Sequence, residues 1–166
     1  MKIEAKKPKK QDAGDAVKMI AVNKRARFEY HIDERIEAGI VLQGWEIKSL
    51  RQGRIAFGES YALIRHNEFF LFGAQIAPLS SASTHVVTEN SRLRKLLMHR
   101  KEIDKLMGSI ERKGYTIVPL SLYWKSNKVK VELGVAKGKQ QHDKRDSEKD
   151  KDWQRDKARI MRDSRK

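Results

Sequence analysis

Apolar and polar residues alternate along the first part of the chain that has a regular pattern. Over residues 28–42 every second side chain is apolar, with one interruption at Glu34. The apolar face holds Phe28, Tyr30, Ile32, Ile36, Ala38, Ile40 and Leu42. A period of two over this length predicts a β-strand with one solvated face, or two strands joined by a bend. The interruption predicts a bulge at Glu34.

Two later segments predict β-hairpins. Residues 59–76 turn at His66–Asn67, and residues 115–138 turn at Ser126–Asn127. In the second hairpin, alternate residues from Val129 to Val135 form the buried face.

Between the strands the apolar spacing changes to three and four residues, which predicts helices. A short helix is predicted over residues 43–53 and a longer one over residues 91–114, each ending at its final glycine. Asn90 or Ser91 can cap the longer helix. Its apolar spacing stretches near residues 99–101, where a break can occur.

These elements predict a mainly β fold with peripheral helices. A small antiparallel β-barrel, closed or partly open, suits the hairpins because closure removes exposed strand edges. An open α+β sandwich is the alternative. Residues 23–136 would form this body. Residues 1–22 lack periodicity and predict a flexible basic arm, and residues 137–166 predict a basic tail too polar to bury a core.

The two ends of the chain carry most of its net charge of +15. Residues 1–27 contain nine Lys/Arg and three Asp/Glu, and residues 137–166 contain twelve and seven. This distribution indicates a polyanionic partner, nucleic acid before membrane. Basic tails that only keep the protein soluble are the alternative.

Several classes of site are excluded by what the sequence lacks. The chain has no cysteine, so disulfides, thiol catalysis and cysteine zinc sites are excluded. No apolar run approaches the ~20 residues of a membrane span, and the N-terminus has no apolar signal segment, so we expect a cytoplasmic protein. His31, Asp33 and Glu37 share a strand face, but such spacing is common without a metal ion. With no phosphate-binding glycine loop and no catalytic triad spacing, we expect no cofactor and no enzymatic activity.

Basic residues stand directly before the first strand. Lys24, Arg25 and Arg27 are placed to contact phosphates, and Asn23 beside them is placed to cap or to hydrogen-bond a base edge. An ordinary basic entrance to a strand is the alternative.

Residues 152–165 predict a short amphipathic helix. Trp153, Ile160 and Met161 fall on one side, and arginines cover much of the rest. A helix of this length is marginal alone in water, so we expect a tail that is disordered when free and helical when bound. Its arginines would pair with phosphates, and Trp153 would stack or wedge.

A series of motifs runs in order from about Asn23 to Arg162. They are NKRARFEY, GIVLQGWEIKSLRQG, SYALIR, FLFGAQI, ASTHVV, RKLLMHRKEIDKL, GYTIVPLSLYWK, KVELGVAKGKQQHDKR and DWQRDKARIMR. Together they closely resemble the SsrA-binding protein (SmpB) family of bacterial trans-translation. The resemblance implies a six-stranded antiparallel barrel of OB type with three helices.

The resemblance also implies a function. A monomeric, non-catalytic protein would bind the tRNA-like domain of transfer-messenger RNA (tmRNA) and accompany it into the decoding centre of a stalled ribosome. Its tail would enter the empty mRNA channel and fold there as a helix against ribosomal RNA. Elongation factor Tu and alanyl-tRNA synthetase would be partners only through tmRNA, and the incomplete peptide would be tagged for proteolysis.

Site residues follow from matching the family pattern. The RNA-binding positions correspond to Asn23, Lys24, Arg25, Glu37 and Leu97, and Arg27 joins them as part of the basic cluster. The ribosome-facing motif corresponds to Gly138, Lys139, His142, Asp143, Lys144 and Arg145. The tail helix corresponds to Trp153, Asp156, Lys157, Arg159, Ile160 and Met161. Leu97 is ambiguous, because the predicted helix over residues 91–114 places it on the apolar face.

Two positions depart from the pattern. Many members have Lys where Gln140 stands, which removes a phosphate contact, and many have a small residue where Trp45 stands. The rival interpretation is a generic ribosome-associated RNA-binding protein or RNA chaperone without tmRNA specificity. A nuclease or RNA-modifying enzyme is third, because it would need a metal or acid–base cluster that the sequence does not supply.

Overall fold

A computed structural model describes residues 17–81 and 87–163 of the chain. Within them, the side chains of Arg112, Lys113, Gln141, His142, Ser147, Ile160 and Asp163 lie outside the description. The strands are β1 (Lys18–Val22), β2 (Tyr30–Ile40), β3 (Ile55–Ala56), β4 (Tyr61–Arg65), β5 (Glu68–Phe72), β6 (Gln75–Ile76), β7 (Arg94–Leu97), β8 (Thr116–Lys125) and β9 (Lys128–Gly138). The helices are α1 (Lys24–Glu29), α2 (Gly44–Arg51), α3 (Arg100–Lys113) and α4 (Gln141–Asp163).

Seven strands form one antiparallel sheet in the order β1-β8-β9-β2-β7-β5-β4, and β3 pairs separately with β6. The predicted hairpin turns are confirmed, because His66, Asn67, Ser126 and Asn127 all have positive φ, as tight hairpin turns between two strands require. The predicted bulge is also confirmed: the register of β2 on β9 shifts between Ile32 and Glu34.

The main core lies between the sheet and the helices α2 and α3. It contains Leu71, Leu96, Val131 and Leu133 from the strands, Leu50 from α2, and Ile103 and Leu106 from α3. A mainly β, antiparallel fold with peripheral helices is therefore confirmed. The hydrogen-bonded order of the described strands ends at β1 and β4 and does not close on itself, although β4 also contacts β8.

The entrance to the first long strand is helical, where the alternating pattern predicted a strand from residue 28. Asn23 caps α1, and Ala26 packs with Val118 and Leu120 in a second, smaller core on β8 and β9. Burial of Ala26 and the Asn23 cap stabilise a helix that is too short to form alone. The strand therefore begins only at Tyr30.

The predicted helix over residues 91–114 is wrong in its first part. Arg94–Leu97 form β7, which pairs with β2 and β5, and α3 begins at Arg100. The boundary between β7 and α3 coincides with the stretched apolar spacing near residues 99–101. There His99 is the N-cap of α3, and Glu102 completes a capping box with it. Tertiary pairing has overridden a local helical pattern here.

The ends of the body differ from the predicted boundaries. Lys18–Val22 were expected in a flexible arm, but they form β1, which covers the outer edge of β8. At the other end β9 continues to Gly138, because it pairs along β2 as far as Tyr30. The six strands and three helices implied by the resemblance become nine strands and four helices in the described residues. Residues 1–16 of the predicted arm lie outside the described residues.

Candidate nucleic-acid interface

Asn23 anchors the basic cluster to the sheet. Its side-chain amide donates a hydrogen bond to the Pro119 carbonyl at 3.1 Å, and its side-chain oxygen accepts one from the Ala26 backbone at 3.0 Å. Its own backbone N–H donates to the Leu120 carbonyl at 2.8 Å. The residue is 2 % exposed. The structure thus gives Asn23 a positioning role, and its direct contact with RNA stays a prediction.

The basic residues that Asn23 positions are exposed on α1. Arg25 pairs with Glu29 at 2.9 Å and with Glu59 at 3.4 Å, and the hydrogen bond to Glu29 raises the pKa of Arg25. Lys24 and Arg27 are also exposed, and no carboxylate among the described residues lies within ion-pairing distance of either. Lys24 and Arg27 are therefore the cations of α1 that no described carboxylate neutralises.

Glu37 lies on the solvated face of β2 and is held by neighbours on β8 and β9. Tyr123 donates a hydrogen bond to its carboxylate at 2.6 Å, Lys125 donates at 3.1 Å, and the Lys130 ammonium lies 4.0 Å away. The hydrogen bond from Tyr123 and the nearby lysines hold the pKa of Glu37 below its usual value. An ionised carboxylate has about four lone-pair positions, so Glu37 can still accept from a base or a ribose hydroxyl.

Leu97 is a surface residue, which settles the ambiguity of the sequence. It is 50 % exposed at the end of β7, whereas its neighbour Leu96 is 1 % exposed and belongs to the core. Leu97 lies opposite Gly39 in the register of β2 and β7. A Cβ on Gly39 would lie 3.2 Å from the Leu97 Cβ, so the glycine lets Leu97 lie flat against the sheet.

A buried ion pair fixes the strand that carries Leu97. Glu46 on α2 accepts hydrogen bonds from Arg92 at 2.6 Å and from Arg94 at 2.9 Å, and the Glu46 and Arg94 side chains are both fully buried. Arg94 also donates to the Ala74 carbonyl at 2.6 Å. Burial acts to raise the pKa of Glu46, but hydrogen bonds from Arg92 and from the Gln43 backbone outweigh it, so this pKa lies below its usual value.

Glu37 and Leu97 line one groove, which we call the Glu37 groove. Its volume is about 660 Å³, and its wall also includes Lys130, Lys105 and His99. The groove therefore combines a carboxylate acceptor, an apolar contact and cations. Lys130 was missed as a site residue, although the alternation along residues 128–135 already placed it on the wet face of the second hairpin.

The structure does not bring α1 to this groove. Glu37 lies seven positions along β2 from Tyr30, which is beside α1, and this corresponds to about 23 Å at ~3.3 Å per residue. The predicted RNA-binding residues therefore form two patches at the two ends of β2.

The predicted tail residues follow directly on β9. Gly138 ends the strand, and the Lys139 backbone N–H donates to the Glu29 carbonyl at 2.8 Å. Asp143 accepts from the Gln140 backbone N–H at 3.3 Å in the first turn of α4. Lys151 places its ammonium 5.0 Å from the centre of the Phe28 ring on α1.

The second half of α4 presents its side chains to solvent. Trp153 is 69 % exposed and Met161 is 59 % exposed. The other exposed residues of α4 from the predicted set are Asp143, Arg145, Asp156, Lys157 and Arg159, while Lys144 is half-buried. The backbones of His142 and Ile160 belong to α4, and their side chains lie outside the described residues. The helical tail is thus part of this structure, and its disorder when free stays a prediction.

A family model described as SmpB protein matches residues 20–163. The chain belongs to the SmpB family. Among its curated SmpB relatives are the SsrA-binding proteins of Xanthomonas campestris pv. campestris (strain B100) and Stenotrophomonas maltophilia (strain K279a). The first is 59 % identical over 160 residues, 95 % of this chain and 96 % of the relative. The second is 60 % identical over 153 residues, 92 % of each chain.

A solved SmpB structure has the same architecture. It is described as "tmRNA-SmpB: a journey to the center of the bacterial ribosome", and its matching chain has a TM-score of 0.59 at 43 % identity. The match covers 73 % of this chain and 85 % of that one.

No described helix is long and apolar enough to cross a membrane. No group of three or more histidine, aspartate or glutamate side chains in the described part of the chain is arranged to hold a metal ion.

Proposed function

We propose that this SmpB-family chain binds the tRNA-like domain of tmRNA and brings it to stalled ribosomes for trans-translation. The observation that carries the proposal is the Glu37 groove, where Glu37, Leu97 and Lys130 meet in a chain 59 % identical to an SsrA-binding protein. Two residues chosen by the family resemblance lie together there, although they are far apart in the sequence.

Each element of the groove has a distinct role toward RNA. Glu37 accepts a hydrogen bond from a base or a ribose 2′-hydroxyl, which a phosphate cannot provide. Leu97 makes an apolar contact with a base or sugar, and Lys130 contacts a phosphate. The cations Lys24 and Arg27 on α1 form a second phosphate contact at the other end of β2.

The tail acts on the ribosome and not on tmRNA. The helix α4 enters the mRNA channel when no mRNA fills it, because the two cannot occupy the channel together. Its arginines pair with ribosomal RNA phosphates, and the exposed Trp153 stacks on a base. His142 stacks in the decoding centre, so the residues from Gly138 to Arg145 direct the tail at that point.

The sheet forms a partly open barrel of OB type. The contact between β4 and β8 across its open side supports this shape. The protein is a cytoplasmic monomer without catalytic activity or cofactor. It reaches elongation factor Tu and alanyl-tRNA synthetase only through tmRNA, because both of these proteins act on the RNA.

Binding across a salt series tests the proposal. The full chain is titrated with the tRNA-like domain of tmRNA and with an ordinary tRNA between 50 and 200 mM salt. Non-specific cationic binding falls by roughly 10³ or more over this range when six or more phosphates are contacted. We expect tmRNA binding to persist near physiological salt while tRNA binding is lost. Equal loss of both would favour a generic RNA-binding protein.

A matched pair of variants tests whether Leu97 contacts tmRNA. Leu97→Ala removes an exposed apolar side chain from the Glu37 groove, and Ile64→Ala removes one from the outer strand β4. We expect weaker tmRNA binding only for Leu97→Ala, with both variants folded. Equal binding by the two variants would remove Leu97 from the interface.

A further inference from the structure

A second groove lies beside the Glu37 groove and shares Leu97 and Lys130 with it. Its volume is about 400 Å³. Apolar residues line most of it, namely Ile40, Leu42, Ile47 and Val129. We call it the Trp124 groove, because the half-buried Trp124 on β8 is its one aromatic wall.

The charges at the Trp124 groove are all positive. Among its lining residues only Lys128 and Lys130 are charged. Lys128 is exposed, and no carboxylate in the described part of the chain lies within ion-pairing distance of it. The guanidinium carbon of Arg51 lies 6.0 Å from the centre of the Trp124 ring, which brings a third cation to the same indole.

We propose that the Trp124 groove holds one unpaired nucleobase of the bound RNA, stacked on Trp124 with its phosphate at Lys128. The inference rests on the proposed function and adds a specificity-determining residue to it. A base has an apolar face that suits the aromatic and aliphatic wall, and a phosphate that suits the unpaired lysine. The shared Leu97 makes the Trp124 groove continuous with the Glu37 groove.

The same chemistry argues against other occupants. An apolar peptide segment would cover the apolar wall but would leave Lys128 without an anion. A paired base would keep its face covered within the helix stack, so only a base that is splayed out of the stack can reach Trp124. The groove therefore selects RNA that presents a loop or bulge at this position, which an ordinary duplex does not.

Ultraviolet crosslinking of the unaltered chain tests the inference directly. The full chain is irradiated in complex with the transcribed tRNA-like domain of tmRNA and then digested with trypsin. We expect a nucleotide adduct on the peptide of residues 114–125, located at Trp124 by fragmentation. A tightly bound complex with no adduct at Trp124 would overturn the inference, even though the proposed function would stand.

Variants give an independent measurement. Loss of one stacked base should make Trp124→Leu bind about 5- to 150-fold more weakly than the unaltered chain, whereas Trp124→Phe retains an aromatic face and should bind with nearly the same affinity. Lys128→Gln should reduce the slope of the salt dependence by about 1, and the matched exposed cation change Arg65→Gln should not.

The outcomes separate the two proposals. Equal affinities for a folded Trp124→Leu and the unaltered chain would overturn the base-stacking inference, and if that variant does not fold, the crosslink decides. Unchanged binding to the tRNA-like domain with weaker ribosome binding would place a component of the ribosome in the groove and also overturn the inference. If the unaltered chain does not prefer tmRNA to tRNA, the proposed function itself fails, and the inference fails with it.

Discussion

The sheet body and the tail helix α4 hold their functional side chains in opposite ways. In the body, Glu37 is fixed by Tyr123 and Lys125, and Leu97 lies on a strand that the buried Glu46–Arg94 pair holds in place. In the tail, Trp153 is exposed to solvent. The helix that carries it contacts α1 through Lys151, which lies over the Phe28 ring.

This difference indicates two modes of recognition in one chain. A groove on paired strands is formed before RNA arrives, so binding there loses little conformational entropy and can discriminate between RNA shapes. A segment that becomes ordered on binding binds more weakly per unit of buried area but can adapt to a channel, and this is the mode that we expect of the tail. The body is thus suited to selecting tmRNA, and the tail is suited to testing whether the mRNA channel is empty.

Removal of the tail should have the largest effect, because it separates tmRNA binding by the body from the action of the tail on the ribosome. A chain that ends at Gln140 retains the full β9 strand and the backbone contact of Lys139 with Glu29. We expect it to bind the tRNA-like domain of tmRNA nearly as well as the full chain and to lose peptide tagging entirely. Binding titration and a tagging assay on stalled ribosomes measure the two activities side by side.

The full chain mixed with the truncated one provides the control, because the truncated protein should compete for tmRNA and lower tagging. Tagging by the truncated chain alone would show that the two regions do not divide the function in this way.

The sequence predicted the long strands and their turns but not the elements that complete the site. Both β2 and β9 are eleven residues long, and apolar side chains alternate along most of β2 and from Val129 to Val135 in β9, so the local pattern indicated both strands. β7 has only four residues, and the apolar spacing of Leu93, Leu96 and Leu97 fits a helix equally well. Its strand form depends on pairing with residues more than twenty positions away, which no local pattern contains.

The ion pair of Glu46 with Arg94 was beyond prediction for a similar reason. Both residues look like solvated charges in the sequence. Glu46 lies on the helix predicted over residues 43–53, and Arg94 lies on the helix predicted over residues 91–114. Only the packing of α2 against β7 buries them together. The α1 helix was missed because the alternating pattern was extended back to Phe28, although Asn23 before a basic segment is a recognisable cap.

Glu46→Gln should cause the next largest effect, and only in the body. The change leaves the buried Arg94 charge without its carboxylate, which costs about 3–5 kcal/mol of the free energy of unfolding. Urea unfolding at pH 7 measures it. Folding lowers the pKa of Glu46, so the ionised carboxylate stabilises the fold at any pH above the pKa of this group in the unfolded chain. This stabilisation is lost as the pH falls through the pKa of Glu46 in the folded chain. The difference between the two proteins should therefore shrink below about pH 4.

Glu148→Gln is the matched control, because it removes the same charge from an exposed position on α4. We expect it to change the unfolding free energy by less than about 0.5 kcal/mol. A pH-independent difference between Glu46→Gln and the unaltered chain would contradict the depressed pKa of Glu46.

Trp153→Ala should give a smaller effect, and only on the ribosome. Its exposure means that the unfolding free energy should change by less than about 0.5 kcal/mol. Loss of one stacked base should lower tagging by about 5- to 150-fold, while tmRNA affinity stays constant. Trp45→Ala is the counterpart in the body, because Trp45 packs against the core and should lower stability instead. A lower melting temperature for Trp153→Ala would make Trp153 part of the core.

The smallest effect is expected where body and tail touch. Lys151→Gln removes the cation above the Phe28 ring, which is worth about 0.5–1 kcal/mol at an exposed site. Amide hydrogen exchange in α4 should become about two- to fivefold faster, while exchange in β9 stays the same. Lys149→Gln removes the same charge two residues away and should leave α4 unchanged.

A double-mutant cycle separates this contact from general charge effects. If the ring and the ammonium interact, Lys151→Gln should add nothing to the faster exchange already caused by Phe28→Leu. If Lys149→Gln and Lys151→Gln have equal effects, the faster exchange reflects the loss of any positive charge from α4 and not the loss of the contact with Phe28. The contact between Lys151 and Phe28 favours a position of the tail near α1 in free solution. It is weak enough to break when the cations of α4 bind phosphates of ribosomal RNA.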